Sequence, residues 1–426
     1  MKAYPKYKDS GIEWIGEMPA QWRVQLLGST STLTVPMRDK PRVFDGEIPW
    51  VRIEDFNGKY ISDSKSEQRV SSDIVKEMNL KVYPLGTVLC SCSCTMGATA
   101  IVARPLVSNQ TFIGISPLIP LFSDYLYYLM QAASDWLTSL ASGSIQQYLS
   151  RNLFSRLRIP LPEMSEQQSI ATYLDRKTKQ IDGLIDKKQN QIDLLREQRT
   201  AVINEAVTKG LNPKAKMKDS GIEWIGEIPA HWSVTKLKFH ADKIGSGVTP
   251  RGGAEVYVDS GVPLLRSQNV HFDGLKLDDV AYIEKETHES MSGSAVQPDD
   301  VLINITGASV GRCAYVPKSL SVANVNQHVC IIRSSGAIKP QYLNFFLSSD
   351  LGQHQVLIGL TGAAREGLTN NQLGNFTLLL PNVEEQLQIM SYLENITSEF
   401  DTMITKEERL IELLKWSPKT GQVCKL

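Results

Sequence analysis

Cys90, Cys92 and Cys94 alternate in VLCSCSCTMG, a spacing that puts three thiols on one face of a strand and could supply part of a metal site. No histidine or second cysteine pair lies near them in the sequence, so they read as buried packing residues and no metal is expected. The histidines at 231, 240, 271, 288, 328 and 354 form no recognisable spacing with a cysteine or carboxylate. A phosphate-binding GxxxxGK[ST] loop is absent, which leaves nucleotide hydrolysis without a basis. Also absent is the Asn/Asp-Pro-Pro-aromatic tetrapeptide of amino-methyltransferases. Gly245-Ser246-Gly247 lacks the third glycine of a cofactor loop and reads as a turn. Pro298-Asp299-Asp300 precedes a strand but has no acid-x-lysine nearby, as a metal-dependent nuclease would need. The acidic runs at 278–279 and 284–289 read as solvated charge. The chain is expected to be non-catalytic and to bind no cofactor itself.

What remains is binding chemistry in polar loops. Arg38, Lys40, Arg42 and Arg52 flank Trp50, and Gln146, Gln147, Arg151 and Asn152 follow Gly143. At similar places further on stand Arg251, Arg266, Gln268 and Asn269, then Arg365, Asn370 and Asn371. Arginine, glutamine and asparagine read base edges bidentately, and lysine or arginine neutralises phosphate, so these residues are the candidates for DNA contact.

Such loops need a frame, and the sequence supplies it twice. A long helix is predicted from Ser165 to Lys209, opened by Ser165 and Gln168 as a capping box and stopped by Gly210 and Pro213. Its seam has Ala171, Thr178, Ile185, Ile192, Arg199 and Ala206 at a, with Leu174, Ile181, Lys188, Leu195 and Val202 at d. The stretch recurs 219 positions later with 13 identities in 35 from Pro162 to Arg196. There Met390, Thr397, Ile404 and Ile411 take a, while Leu393, Phe400, Glu407 and Leu414 take d. Lys188 and Glu407 thus hold equivalent d positions and are expected to fix register if the seam is antiparallel. The second helix is expected to end at Lys415, because Pro418 and Gly421 follow; it would be roughly 50 Å long against 65 Å.

A second repeat precedes each block: KDSGIEWIGEMPAQW at Lys8 to Trp22 and KDSGIEWIGEIPAHW at Lys218 to Trp232, identical at 13 of 15 positions. Glycine and proline punctuation with two tryptophans suggests an irregular docking segment, serving either to pack on the fold or to bind a partner. Between docking segment and helix lie two diverged blocks, about Arg23 to Leu161 and Ser233 to Leu380. Runs such as IPWVRIEDF, ATAIVA, VLINIT and HVCIIR read as strands, and helices are predicted at Ser123 to Ala141 and Lys339 to Ile358. Landmarks correspond: Val35-Pro36 with Thr249-Pro250, and Asn109-Gln110 with Asn326-Gln327.

The order is therefore a docking segment and mixed α/β domain over 1–161, a helix over 162–210, a second such domain over 211–380, and a second helix with a short tail over 381–426. The fold class is α/β (α+β), a pseudo-two-fold internal repeat with the helices packed as an antiparallel coiled coil. At 426 residues the chain exceeds one ordinary core. A net charge of −1 excludes a globally basic binder, so any nucleic-acid footprint must be local or shared with partners. The N-terminus has no apolar signal core and no run of about 18 apolar residues occurs, so a cytoplasmic protein is expected.

The paired KDSGIEWIGE segments, GVTPRGG, VPLLRSQNV and the LP…SEQQ and LP…EEQ helix openings, taken in this order over nearly the whole chain, resemble the specificity (S) subunit of type I restriction-modification systems. That resemblance implies a non-enzymatic DNA-recognition subunit. Each of its two target-recognition domains reads one half of a bipartite, asymmetric site in double-stranded DNA. Its helices set the gap and dock two methyltransferase (modification) subunits, and ATP-dependent translocase/nuclease restriction subunits complete the assembly. S-adenosylmethionine, ATP and Mg would be used by those partners. Two other classes compete: a coiled-coil scaffold that reads no DNA, which leaves the duplicated polar domains unexplained, and a self-sufficient methyltransferase, which the missing motifs oppose.

Overall fold

The computed structural model describes residues 4–36, 40–92, 97–140, 149–361 and 367–419. The chain forms two compact units, 1–189 with 408–426 and 190–407, so each long helix is divided between them. The first helix spans Met164–Lys209 and the second Val383–Lys419, about 70 Å and 55 Å at 1.5 Å per residue. The second therefore runs through Pro418 instead of ending at Lys415. A proline so near the end removes a single hydrogen bond of the last turn. The capping box at Ser165 is not formed, because the helix starts one residue earlier and the N–H groups of Glu166 and Gln167 bond to Glu163 O.

The heptad phase is visible in burial. Ala171, Ile192, Ala206, Met390, Leu393, Thr397, Ile404, Glu407 and Ile411 are buried, and Leu174, Ile181, Ile185, Lys188, Leu195, Phe400 and Leu414 are half-buried. Thr178, placed at a, is exposed. In the unit 190–407, Ile203, Ala206 and Val207 share a core with Ile389, Met390 and Leu393, and Arg199 pairs with Asp401 at 3.2 Å. As the first helix advances from Arg199 to Val207 the second retreats from Asp401 to Ile389, which is antiparallel packing.

Each diverged block is closed by its own ends. Strand Arg23–Leu26 pairs antiparallel with Arg158–Leu161, Arg23 opposite Leu161, and strand Ser233–Lys236 pairs with Thr377–Leu380, Ser233 opposite Leu380. Inside the first ribbon, five strands lie in the order 31–34, 112–117, 88–91, 99–102, 60–61, antiparallel except for the last pair. Inside the second, the antiparallel order is 241–246, 329–334, 301–304, 313–315. Helices cover one face of each: Tyr125, Leu126, Leu129 and Met130 in the first, and Tyr342, Leu343, Phe346 and Leu347 in the second, are all buried.

The two predicted module helices are each broken in two. The first consists of Ser123–Ala132 and Ser134–Leu140, the second of Pro340–Ser348 and Asp350–Thr361. Ser349 explains the second break: its hydroxyl donates to Phe346 O at 2.6 Å and accepts from Gly352 N at 3.4 Å, ending one helix and capping the next.

The repeated docking segment is a tight hairpin, Tyr7–Asp9 with Glu17–Pro19 and Met217–Asp219 with Glu227–Pro229. Its sequence follows from its bonds. Asp9 and Asp219 accept from the N–H of Gly11 and Gly221 at 2.8 and 2.9 Å, and those glycines have φ of 60° and 75°. Trp14 packs on Trp136 at 6.1 Å and Trp224 on His354 at 5.1 Å, so each hairpin docks on the second helix of its own module.

Candidate nucleic-acid interface and its frame

The Glu-Gln pair that opens each long helix joins three elements. Gln167, fully buried, accepts from Phe122 N at 2.9 Å and donates to Pro120 O and Pro162 O at 2.8 and 2.9 Å. Gln386, also fully buried, accepts from Lys339 N at 2.8 Å and donates to Ala337 O and Pro381 O, both at 3.0 Å. Each glutamine thereby satisfies the backbone at the start of a module helix, while the preceding glutamate holds the hairpin side. Glu166 accepts from the Tyr4 hydroxyl at 2.6 Å, and Glu385 meets His231 at 2.8 Å.

The first module has a further tie to its long helix. Lys59 Nζ lies 2.5 Å from Asp124 and 2.6 Å from Asp175 of the long helix, with Tyr60, Tyr127 and Tyr128 around it. The Tyr60 and Tyr128 hydroxyls donate to those same carboxylates. Burial, then the hydrogen bond to a carboxylate, holds both phenols well above their ordinary range, so they remain donors. Sequence reasoning missed this cluster because its members lie 65 and 116 positions apart and no local pattern links them.

The candidate DNA contacts fall into three groups. Lys40 and Arg42 are exposed beside Phe44, and Arg251 is exposed in a turn. Arg151 and Asn152 occupy the first turn of helix Arg151–Arg156 behind the cap Ser150, as Asn370 and Asn371 occupy the first turn of Asn370–Gly374 behind Thr369. These two pairs are brought to equivalent places.

A second group is engaged within the fold. Arg52 pairs with Glu54 at 3.0 Å and donates to Ser66 at 3.2 Å. Arg266 donates to Asp279 O at 3.2 Å and stacks over Tyr257, and Gln268 donates to the Asp279 carboxylate at 2.8 Å. Asn269 does not belong among the readers. It is 2% exposed, accepts from Arg266 N at 2.9 Å and donates to Lys276 O at 2.9 Å, organising its loop as Asp55 does after Arg52. Arg38, Gln146, Gln147 and Arg365 lie outside the described residues.

Asp300 and the alternating cysteines are tied into the fold where they are described. Asp300 is fully buried and held by Arg333 at 2.7 and 2.8 Å, and its carboxylate also accepts from Gln297 N. Cys90 and Cys92 are buried, and burial pushes the Cys90 thiol up to about 12, so it is a neutral packing group; Cys94 lies outside the described residues. Among the described residues no group of three or more His, Cys, Asp or Glu is placed to hold a metal ion, and no helix is long and apolar enough to cross a membrane.

The chain thus consists of two sheet-and-helix modules, each closed by a ribbon of its own ends and followed by a long helix. The type I restriction modification DNA specificity domain model matches residues 35–194 and 269–413. The chain belongs to this family. Among its relatives are the type I restriction enzyme MjaIX specificity subunit of Methanocaldococcus jannaschii, 24% identical, covering 94% of this chain and 92% of that one. The EcoKI specificity subunit of Escherichia coli K12 is also 24% identical, over 91% of this chain and 84% of that one. A solved chain from work on complex assembly and conformational transition of the type I R-M system superposes with a TM-score of 0.71 at 17% identity, covering 96% and 98%. The duplicated α/β architecture with long helices is thus that of the specificity-subunit family.

Proposed function

We propose that this chain is the DNA sequence-recognition subunit of a type I restriction-modification complex. Each recognition module reads one half of a bipartite, asymmetric site in double-stranded DNA. The observation that carries the reading is the repeated frame around diverged contents: equivalent hairpins, Glu-Gln joints and closing ribbons hold modules whose exposed polar loops differ. A frame used twice with different loops suits two different half-sites. The long helices act as the spacer and dock two methyltransferase subunits. Those partners supply the chemistry with S-adenosylmethionine, and ATP- and Mg-dependent restriction subunits add translocation and cleavage. The protein works in the cytoplasm, where that DNA is.

A near-neutral chain releases few counterions on its own, so tight binding is expected only in the assembled complex. The test is a gel shift and a methylation assay on a random duplex pool, with the chain alone and with methyltransferase subunits. Weak binding and no methyl transfer alone, with sequence-specific methylation in the complex, is the expected result. Methyl transfer by the isolated chain would overturn it. A coiled-coil scaffold that reads no DNA would give an assembled complex without sequence preference.

A further inference from the structure

In the second module several backbone bonds bring four segments to one end of the sheet 241–246, 329–334, 301–304, 313–315. Gly247 N donates to Val329 O at 2.9 Å, Ile305 N to His328 O at 2.9 Å, and Leu368 N to Ile305 O at 2.8 Å. Thr306 bridges to Gly367, and the candidate readers Asn370 and Asn371 follow directly. The approach at Gly247 is so close that a Cβ there would lie 2.0 Å from Val325 O.

Four polar side chains form a relay at this end. The Thr249 hydroxyl meets Gln327 Oε1, Gln327 Nε2 lies 2.9 Å from His328 Nε2, and His328 Nδ1 lies 2.6 Å from Thr306 Oγ1. With Gln327 Nε2 facing His328, one proton arrangement satisfies the relay. An amide nitrogen can only donate, so His328 Nε2 accepts, Nδ1 carries the hydrogen, and Thr306 Oγ1 receives it. The Gln327 amide is thereby held at both ends. It retains one N–H and one oxygen lone pair, the pair of groups that adenine N7 and N6 require.

The backbone turns this side chain outward. Asn326 Oδ1 accepts from His328 N at 3.2 Å, folding the turn back, and Gln327 is exposed. The first module repeats the turn, where Asn109 Oδ1 accepts from Thr111 N at 3.4 Å and Gln110 is exposed. Thr111 stands there in place of His328 and Val35 in place of Thr249, so the residues that clamp the amide belong to the second module only. A phosphate contact needs a donor alone. An amide fixed in both its donor and its acceptor direction is built for a base edge.

We propose that Gln327 reads an adenine edge in the half-site served by the second module, with Thr249, His328 and Thr306 as positioning residues. This inference rests on the DNA-recognition reading above. The experiment uses the full chain assembled with methyltransferase subunits, and measures methylation across duplexes randomised one position at a time in both half-sites. Gln327→Leu is expected to lower the preference for adenine at one position of the second half-site by roughly ten- to a hundredfold, leaving the first half-site and the gap unchanged. His328→Leu and Thr306→Val should weaken the preference at that same position, and Thr306→Ser, which keeps the hydroxyl, should restore it. Uniform loss of methylation over all sequences in Gln327→Leu, or an unaltered preference, would overturn the proposal. A wild-type complex that methylates without sequence preference would instead overturn the DNA-recognition reading, and this inference with it.

Discussion

Gln167 and Gln386 are the residues on which the joints between module and helix depend. Each satisfies one N–H and two carbonyls that are otherwise shielded from water, and a buried group left unpaired costs about 1–3 kcal/mol. Gln167→Met or Gln386→Met, similar in volume but without the amide, should each destabilise the protein by roughly 2–4 kcal/mol in urea denaturation. A loss under about 1 kcal/mol would show that the backbone groups find other partners. Asp63 offers a test of sign. Burial raises its pKa, but the hydrogen bonds from Arg69 and Ser64 N and the charges of Arg104 and Arg69 outweigh that, and the carboxyl titrates below its ordinary value. A depressed folded pKa gives stability that is complete above the unfolded value and lost as pH falls through the folded one. The stability difference between wild type and Asp63→Asn should therefore be present at neutral pH and vanish on the acid side of the usual carboxylate range. A difference that grew on acidification would contradict this.

At the scale of elements, the heptad seam makes the long helices a candidate ruler. Deleting Gly183 to Gln189 together with Thr402 to Glu408 removes one heptad from each, keeps a and d in phase, and shortens the spacer by about 10 Å. The preferred gap should shrink by about two to three base pairs while both half-sites keep their sequences. Because DNA also turns by about 35° per pair, affinity is expected to fall as well. Methylation of duplexes differing only in gap length checks this; an optimum that stays put with activity retained would mean that other parts set the spacing. These elements were the most legible from sequence, since a seven-residue period and a repeated 15-residue segment are local patterns. Burial follows the seam at Leu393, Ile404 and Ile411, and the hairpin follows from Asp9 and Gly11. The break at Ser349 was not legible, because a serine hydroxyl turning back onto its own helix leaves the apolar spacing intact. Nor was Asn269 separable from a surface asparagine: its partners Lys276 and Asp279 are set by a loop closure that no composition records. Lys59 depended on Asp124 and Asp175, which only the tertiary fold brings to it.

At the scale of the whole molecule, the closing ribbons make each module an insert with neighbouring ends. Arg23 and Leu161 face each other across one strand pair, as do Ser233 and Leu380, so a foreign module needs to match only a ribbon and a buried glutamine joint. Replacing Arg23 to Leu161 with the corresponding module of a relative should change one half-site and preserve the other along with the gap. Methylation-site sequencing of the chimeric complex reads this directly, and alteration of both halves would contradict the assignment of one module to one half-site. The graft should also carry its own residue for the Lys59 position or forgo that tie, because Asp175 stays behind on the helix.

The division of both helices between the two compact units has a consequence for biosynthesis. The unit 190–407 is contiguous and can close as soon as its last residue clears the ribosome, whereas the other needs residues from 408 onward to join residues made before 189. At roughly 5–20 residues per second that interval is on the order of 10–45 s, during which the part of the first helix before residue 190 waits for residues 408 onward. A nascent chain in that window is where chaperone capture and off-pathway pairing with another such chain would concentrate.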